Sequence, residues 1–370
     1  MSFTGYLRAD GKVGIRNHVV VMASVSCGNG VVNAVARELP VKAITHTEGC
    51  GRGPHDLVTT TRTLAGLGKN PNVAAVLVVG LGCEFIKAPW VASEIAASGK
   101  PVETLVIQAE GGSQSTTKKA LEIAKTLLEQ AERIERKPVA WDQIVLGIEH
   151  GGAELDGGPS RALGVLADWL LARGGTVIAS EAAGFAALPE LDARATADVK
   201  KKLSELLEQQ EKFRSRVLSV VSRSAASATI EPPRATLLPC GGAKVSDVLE
   251  YGAQPPRAGL YLMDTPSSDV FSMSGLAAGG AQIIVHATAE GSLGGVPISP
   301  VLKVAANSEL FEALPDDLDF DAGGLARGES ADVVGHRMAE LVSEIAAGRL
   351  TKTEDNGMDV FAIHTVGPAF

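Results

Sequence analysis

The chain has 370 residues, 45% apolar and 21% charged, which excludes wholesale disorder and suggests about two globular domains. A formal charge of −9 argues against binding nucleic acid or an anionic membrane through bulk charge. Four cysteines, Cys27, Cys50, Cys83 and Cys240, are too few for a disulfide scaffold. With 41 glycines and only 4% aromatics, the core is expected to be built from Ala, Val, Leu and Ile, with much backbone in tight turns.

The N-terminal stretch MSFTGYLRADGKVGIRNH carries no apolar run of the secretory kind. The longest apolar stretch, 73–81, falls well short of the ~20 residues that span a bilayer. A cytoplasmic protein with reduced thiols is expected. In chain order, strands are predicted at 18–25, 41–46, 72–81 and 101–108, with helices at 29–39, 56–67, 85–98 and 115–135. After a Pro-containing joint at 135–142 come a strand (142–150), a helix (159–172), a strand (174–180) and a charged amphipathic helix (197–222). The segment 222–235, rich in Ser, Ala and Pro, reads as a linker. Apolar strands follow at 259–263, 281–287 and 301–306. Continuous apolar strands alternating with helices indicate buried parallel strands joined by right-handed crossovers. The expected fold is α/β, doubly wound and mostly parallel, in two domains, 1–138 and 139–370.

Three cysteines occupy one slot of this pattern. Cys27 (SVSCGNG), Cys50 (HTEGCGRG) and Cys83 (GLGCE) each follow a strand and lie beside glycine. Ligands of doubly wound sheets bind outside the carboxyl ends of the strands. A nearby helix start favours thiolate over thiol. A single cysteine there is usually a small buried hydrophobe; three in equivalent slots suggest a shared metal or cluster site. The spacing is not that of a standard zinc motif. His150 ends the fifth strand and is a fourth candidate ligand, against a plain polar strand end. His46, four residues before Cys50, is a candidate ligand or general base, against a hydrogen-bonded sheet-edge histidine. Cys240 reads as structural, and His286, inside an apolar strand, as a core histidine. The loop AEGGSQST (109–116) offers free N–H groups of Gly111, Gly112 and Ser113 to a carboxylate or phosphate. Neither GxGxxG nor a Walker A motif is present, so no nucleotide is implied. Arg8, Arg16 and Asn17 precede the first strand, where an arginine fork would suit a carboxylate or a surface salt bridge. The aspartates of PDDLDFDAGG (315–324) do not reproduce an EF-hand and read as structural.

The ordered blocks GYLRADGKVGIRN, SVSCGNG, ITHTEGCG, NPNVAAVLVVGLGCE, IQAEGGS, LGIEHGG, GGTVIASE, GLYLMDTPSSD, AAGGAQIIVHATAEGS, PVLKVAANSEL, DDLDFDAGG and AGRLTKTEDNG resemble the altronate/galactarate dehydratase family. That family includes the large subunit of sulfolactate sulfo-lyase. The resemblance implies a metal-dependent lyase that eliminates water from a hydroxy or sugar acid to give a 2-keto acid. A sulfo-lyase releasing sulfite and a non-catalytic metabolite-binding homologue are the alternatives. It implies iron, as Fe2+ or an iron–sulfur cluster, or another divalent metal. Cys27, Cys50, Cys83 and His150 would be its ligands and His46 the base. Arg8, Arg16, Asn17, Gly111, Gly112 and Ser113 would bind the small anionic substrate. The family's small N-terminal domain has no counterpart before the Gly-Tyr block, which suggests a small partner subunit; a homo-oligomer is also expected.

Four departures stand out. His150, Gly151, Gly152, Ala153 and Glu154 replace the family's Cys-Gly-Gly-Ser-Asp. Thr288, Ala289, Glu290 and Gly291 replace Thr-Gly-Arg-Gly. Asn70, Pro71, Asn72 and Val73 stand where His-Pro-Asn-Val is usual, and the segment 188–238 is shorter.

Overall fold

The computed structural model describes residues 3–151, 158–221 and 239–367. The predicted linker 222–235 and residues Ala153 and Glu154 lie outside them. The chain opens with an antiparallel pair, β1 (Phe3–Leu7) and β2 (Val13–Gly14). A parallel unit follows: β3 (His18–Ala23), α1 (Asn29–Glu38), β4 (Lys42–Ile44), α2 (Pro54–Lys69), β5 (Val73–Gly80), α3 (Ala88–Ala96), β6 (Val102–Val106) and α4 (Ser113–Glu132). β7 (Arg136–Val139) then returns to pair antiparallel with β1. The second unit begins with β8 (Val145–Gly151), α5 (Gly158–Leu171), β9 (Thr176–Ala179), α6 (Leu191–Arg194) and α7 (Ala197–Val221). It continues with β10 (Val245–Leu249), β11 (Leu260–Met263), α8 (Asp269–Ala278), β12 (Ile283–Thr288) and β13 (Val301–Ala305). It closes with α9 (Ser308–Ala313), β14 (Phe320–Asp321), α10 (Ala331–Ala346) and α11 (Lys352–Asp355).

The two main sheets are parallel throughout, in the orders β4-β3-β5-β6 and β10-β11-β9-β8-β12-β13-β14. The α/β expectation holds, and its reason is visible in β5, buried at every position because helices cover both faces. The small antiparallel sheet β2-β1-β7 is an addition to the predicted pattern. Its strands are short and half exposed, so they carry no continuous apolar run.

Helices α1 and α4 pack on one face of the four-stranded sheet through Val31, Val35, Ala120 and Ala124. Helices α5 and α10 pack on one face of the seven-stranded sheet through Leu163, Leu166, Met338 and Val342. Between the sheets lie α2, α3 and α8. Their core is shared: Val20, Met22 and Val78 come from one sheet, and Ile178, Tyr261, Met263 and Ile284 from the other. Helices α2 and α8 touch backbone to backbone. A Cβ on Gly66 would collide with the Ala278 carbonyl, so glycine is required there.

Two buried asparagines before β5 tie the units together. The Asn72 carboxamide oxygen accepts from the N–H groups of Ile15 (2.9 Å) and Arg16 (3.3 Å). Its nitrogen donates to the carbonyls of Gln282 (2.9 Å) and Ile298 (3.0 Å). Asn70 donates to Ala277 and Ala281 and accepts from the Asn72 N–H. Every polar position of the Asn72 side chain is therefore filled at zero exposure. Asn72→Ala would strand main-chain groups of both units, each worth about 1–3 kcal/mol. The expected loss is about 3 kcal/mol or more, read as a lowered urea midpoint without a change in slope.

Candidate active site at the strand ends

The loops after β3, β4 and β5 carry Cys27, Cys50 and Cys83, and all three thiols are exposed. Main-chain hydrogen bonds lace these loops together. Ser26 N–H donates to the Glu48 carbonyl (3.0 Å). Phe85 and Ile86 N–H donate to the Gly49 carbonyl (3.1 and 3.3 Å). Gly49, at φ 115°, lies so close to Val25 that any side chain would collide with it. The sequence motif Glu-Gly-Cys-Gly thus closes the second loop onto the first and third. Arg52 braces this loop by a two-pronged contact with Glu48 (2.7 and 3.0 Å). The thiols suit a soft metal in kind. Among the described residues, however, no three His, Cys, Asp or Glu side chains are gathered closely enough to hold an ion.

His46, the expected general base, has both ring nitrogens engaged within the chain. Its Nε2 donates to the Ala23 carbonyl (2.8 Å), and its Nδ1 accepts from the Glu48 N–H (3.1 Å). Both ring nitrogens are committed, and burial lowers the ring's pKa, so the neutral tautomer braces β3 against the Cys50 loop. His150 belongs to β8 of the seven-stranded sheet, while the cysteines follow strands of the four-stranded sheet. Its Nε2 lies 2.6 Å from Ser160 Oγ on α5.

The arginines of the expected fork are engaged within the chain. Arg8 donates to the carbonyls of Pro71 (2.7 Å) and Arg16 (2.9 Å) and to Asn17 Oδ1 (2.8 Å). Burial lowers its pKa to about 10. Arg16 clasps Glu354 through two bonds (2.7 and 2.8 Å) and reaches the carbonyls of Ile345 and Arg349. Asn17 donates to the Ala131 carbonyl. Arg16 thus fastens the first strands to the C-terminal segment, Arg8 to the loop before β5 and Asn17 to the end of α4. Gly111 and Gly112, at φ 79° and 104°, form the loop after β6, and Ser113 opens α4. This loop adjoins the Cys83 loop, for Gly82 lies against Gln108. Cys240 is fully buried, and burial pushes its thiol up to about 12, as a structural cysteine requires.

Two models of one family match this chain. D-galactarate dehydratase/altronate hydrolase, second domain, matches residues 5–132. D-galactarate/altronate dehydratase, C-terminal, matches residues 237–369. The chain belongs to the D-galactarate dehydratase/altronate hydrolase family. It is 28% identical to altronate dehydratase of Bacillus subtilis (strain 168), over 99% of this chain and 78% of that one. It is 29% identical to (2R)-sulfolactate sulfo-lyase subunit beta of Chromohalobacter salexigens, over 98% and 97%. With galactarate dehydratase (L-threo-forming) of Escherichia coli K12 it shares 28%, over 94% and 73%. Membership in this family makes the chain a lyase.

Two of the departures from the family pattern have a local explanation. Asn70 and Asn72 are the inter-unit ties described above. Thr288, ending β12, accepts from the N–H groups of Glu290, Gly291 and Ser292, so this turn is held by a hydroxyl and leaves Glu290 exposed. His286, expected as a core histidine, is buried beside two charged residues that the sequence did not single out. Glu149, His286 and Lys303 are neighbours in register across β8, β12 and β13, all at zero exposure. The only sequence signal was polar residues interrupting apolar strands.

Replacing Arg16 with Met should lower stability by about 3–5 kcal/mol, the usual cost of breaking a buried ion pair. Burial alone would raise the Glu354 carboxyl, but Arg16 outweighs it and holds the pKa below 4.5. The pair's contribution is therefore complete above that value and fades as pH falls through the lowered one. Chemical denaturation at two pH values checks both points, with KM unchanged in the variant.

Proposed function

We propose that this chain is the large subunit of a metal-dependent hydro-lyase that removes water from a small hydroxy or sugar acid and yields a 2-keto acid. The observation that supports it most is the set of three exposed thiols on hydrogen-bonded loops at the strand ends, in a chain whose relatives are named as dehydratases. Cys27, Cys50 and Cys83 are the proposed donors to iron, whether one Fe2+ or a cluster; another divalent metal is the variant of this reading. Iron held by these thiols once they were drawn together would supply Lewis acidity. The chain's own part is to bring the three loops together through Gly49 and Glu48. The N–H groups around Gly111, Gly112 and Ser113 receive the substrate carboxylate.

A small partner subunit belongs to the proposal, supported by the relative named as a subunit beta. Self-association is supported by the exposed apolar side chains of Val58, Phe85 and Trp90. Among the described residues no helix is long and apolar enough to cross a membrane, and a cytoplasmic location is part of the same reading. A sulfo-lyase is the second reading, because that subunit beta aligns over 97% of its length.

Anaerobic purification followed by iron and sulfide analysis tests the metal. Iron is expected in the wild type and lost in Cys50→Ser; no iron in the wild type, or none lost in the variant, rejects the site. A panel of 2,3-dihydroxy acids and 3-sulfolactate, with and without a candidate small subunit, tests the reaction. A 2-keto acid released without sulfite supports the hydro-lyase, whereas sulfite release supports the sulfo-lyase.

A further inference from the structure

Glu181 is the only non-glycine residue with a positive φ among the described residues, at 55°. It stands just beyond β9, at the carboxyl edge of the seven-stranded sheet. Glycine adopts this conformation freely, whereas a side chain is strained in it. Strained residues persist where the surroundings over-determine them and are enriched at functional sites. Here the Glu181 N–H donates to Thr265 Oγ (2.7 Å), and Thr265 Oγ accepts from Ser272 Oγ (3.1 Å). The backbone is thus held so that a carboxyl, half buried, is presented at the strand end.

Behind it lies the buried row. The Lys303 ammonium donates to His286 Nδ1 (2.7 Å). His286 Nε2 lies 3.6 Å from Asp269 Oδ2, at the first turn of α8. Glu149 is fully buried, with the hydroxyls of Ser180 and Ser272 as its polar neighbours, and among the described residues His286 Nε2 has no hydrogen-bond partner. Burying several ionisable groups together is costly, and packing alone gives no reason for it. The groups act on one another. Burial and then Glu181 push the Glu149 carboxyl well up, partly offset by the hydroxyls of Ser180 and Ser272. Burial first, and Asp269 with it, raise Glu181 to about 7, against the opposing Ser267 hydroxyl. Burial lowers Lys303 to about 8, opposed by Asp269, Glu149 and Asp319.

This edge and the thiol loops open on the same side. His55 lies at the start of α2 just after the Cys50 loop, and Asp264 lies just after β11. The other ends of α2 and α8 meet at Gly66 and Ala278. The two helices therefore run side by side with both N-termini toward the strand ends.

We propose that Glu181 is the proton-accepting carboxyl of the elimination, with Asp269 and the buried row of Glu149, His286 and Lys303 as its positioning residues. The proposal rests on the lyase reading above. In the step, Glu181 takes the proton on the carbon next to the substrate carboxylate. The C–H electron pair forms the new C=C bond as the neighbouring C–O bond breaks. The departing hydroxide takes a proton from solvent to become water, and Glu181 returns its own proton to solvent. The enol then tautomerises to the 2-keto acid. No oxidant or reductant is involved.

The test uses the metal-loaded protein, with its small subunit where one is needed, and the panel of 2,3-dihydroxy acids and 3-sulfolactate. Glu181→Gln should lower kcat about 10²-fold or more with iron content and KM unchanged. Glu181→Gly should relieve the left-handed strain, melt no lower than the wild type and be equally inactive. The wild-type kcat/KM should rise with pH through about 7, where Glu181 loses its proton. Asp269→Asn removes a negative charge that raises this carboxyl, so the rise should move to lower pH. Wild-type kcat in either Glu181 variant, or an unmoved pH limb in Asp269→Asn, overturns the assignment while leaving the lyase reading intact. A loaded wild type that eliminates nothing from any panel member overturns both.

Discussion

The carboxamide of Asn72 is the constraint on which the arrangement depends. It lies in a dry layer between two parallel sheets and satisfies main-chain groups from three separate parts of the chain. Such groups cost heavily if left unpaired, so the two units have little freedom to slide. Gly66 adds a steric limit, bringing α2 against the backbone of α8. With those helices fixed side by side, the carboxyl edges of both sheets face one region. Doubly wound sheets offer their strand ends to ligands, and here two such edges are turned to a common side.

Charge is distributed accordingly. The arginines near the N-terminus are consumed in fastening the chain, where planar guanidinium groups bridge several carbonyls and one carboxylate. The fully buried titratable groups Glu149, His286 and Lys303 lie within the seven-stranded sheet. The exposed thiols lie at the edge of the four-stranded sheet. The exposed thiols and the carboxyl proposed as the base are thus carried on separate sheets. An elimination needs both functions, one to receive a developing negative charge and one to move a proton.

Much of this was legible in the chain itself. Buried parallel strands show as mainly apolar runs, so β3, β5, β8 and β12 were readable with ends within a few residues. The three cysteine loops were readable because a strand, a glycine turn and a helix follow one another locally. The roles of Arg8, Arg16 and His46 were not. Charge and ring chemistry suggest a ligand contact, but the partners are carbonyls far away in sequence. Cβ-free Gly49 was visible as a glycine, while its closeness to Val25 was not.

The sequence by itself determined the α/β class, the family and the placement of Cys27, Cys50 and Cys83 after successive strands, because these depend on local periodicity and short motifs. Only the tertiary structure decided which polar side chains meet. Glu149, His286 and Lys303 are more than a hundred residues apart at their widest, and parallel register alone makes them neighbours. The left-handed turn at Glu181 is likewise invisible in composition, because it is imposed by Thr265 from another strand's end. Register and strain are properties of the packed sheet, and no stretch of the chain carries them alone.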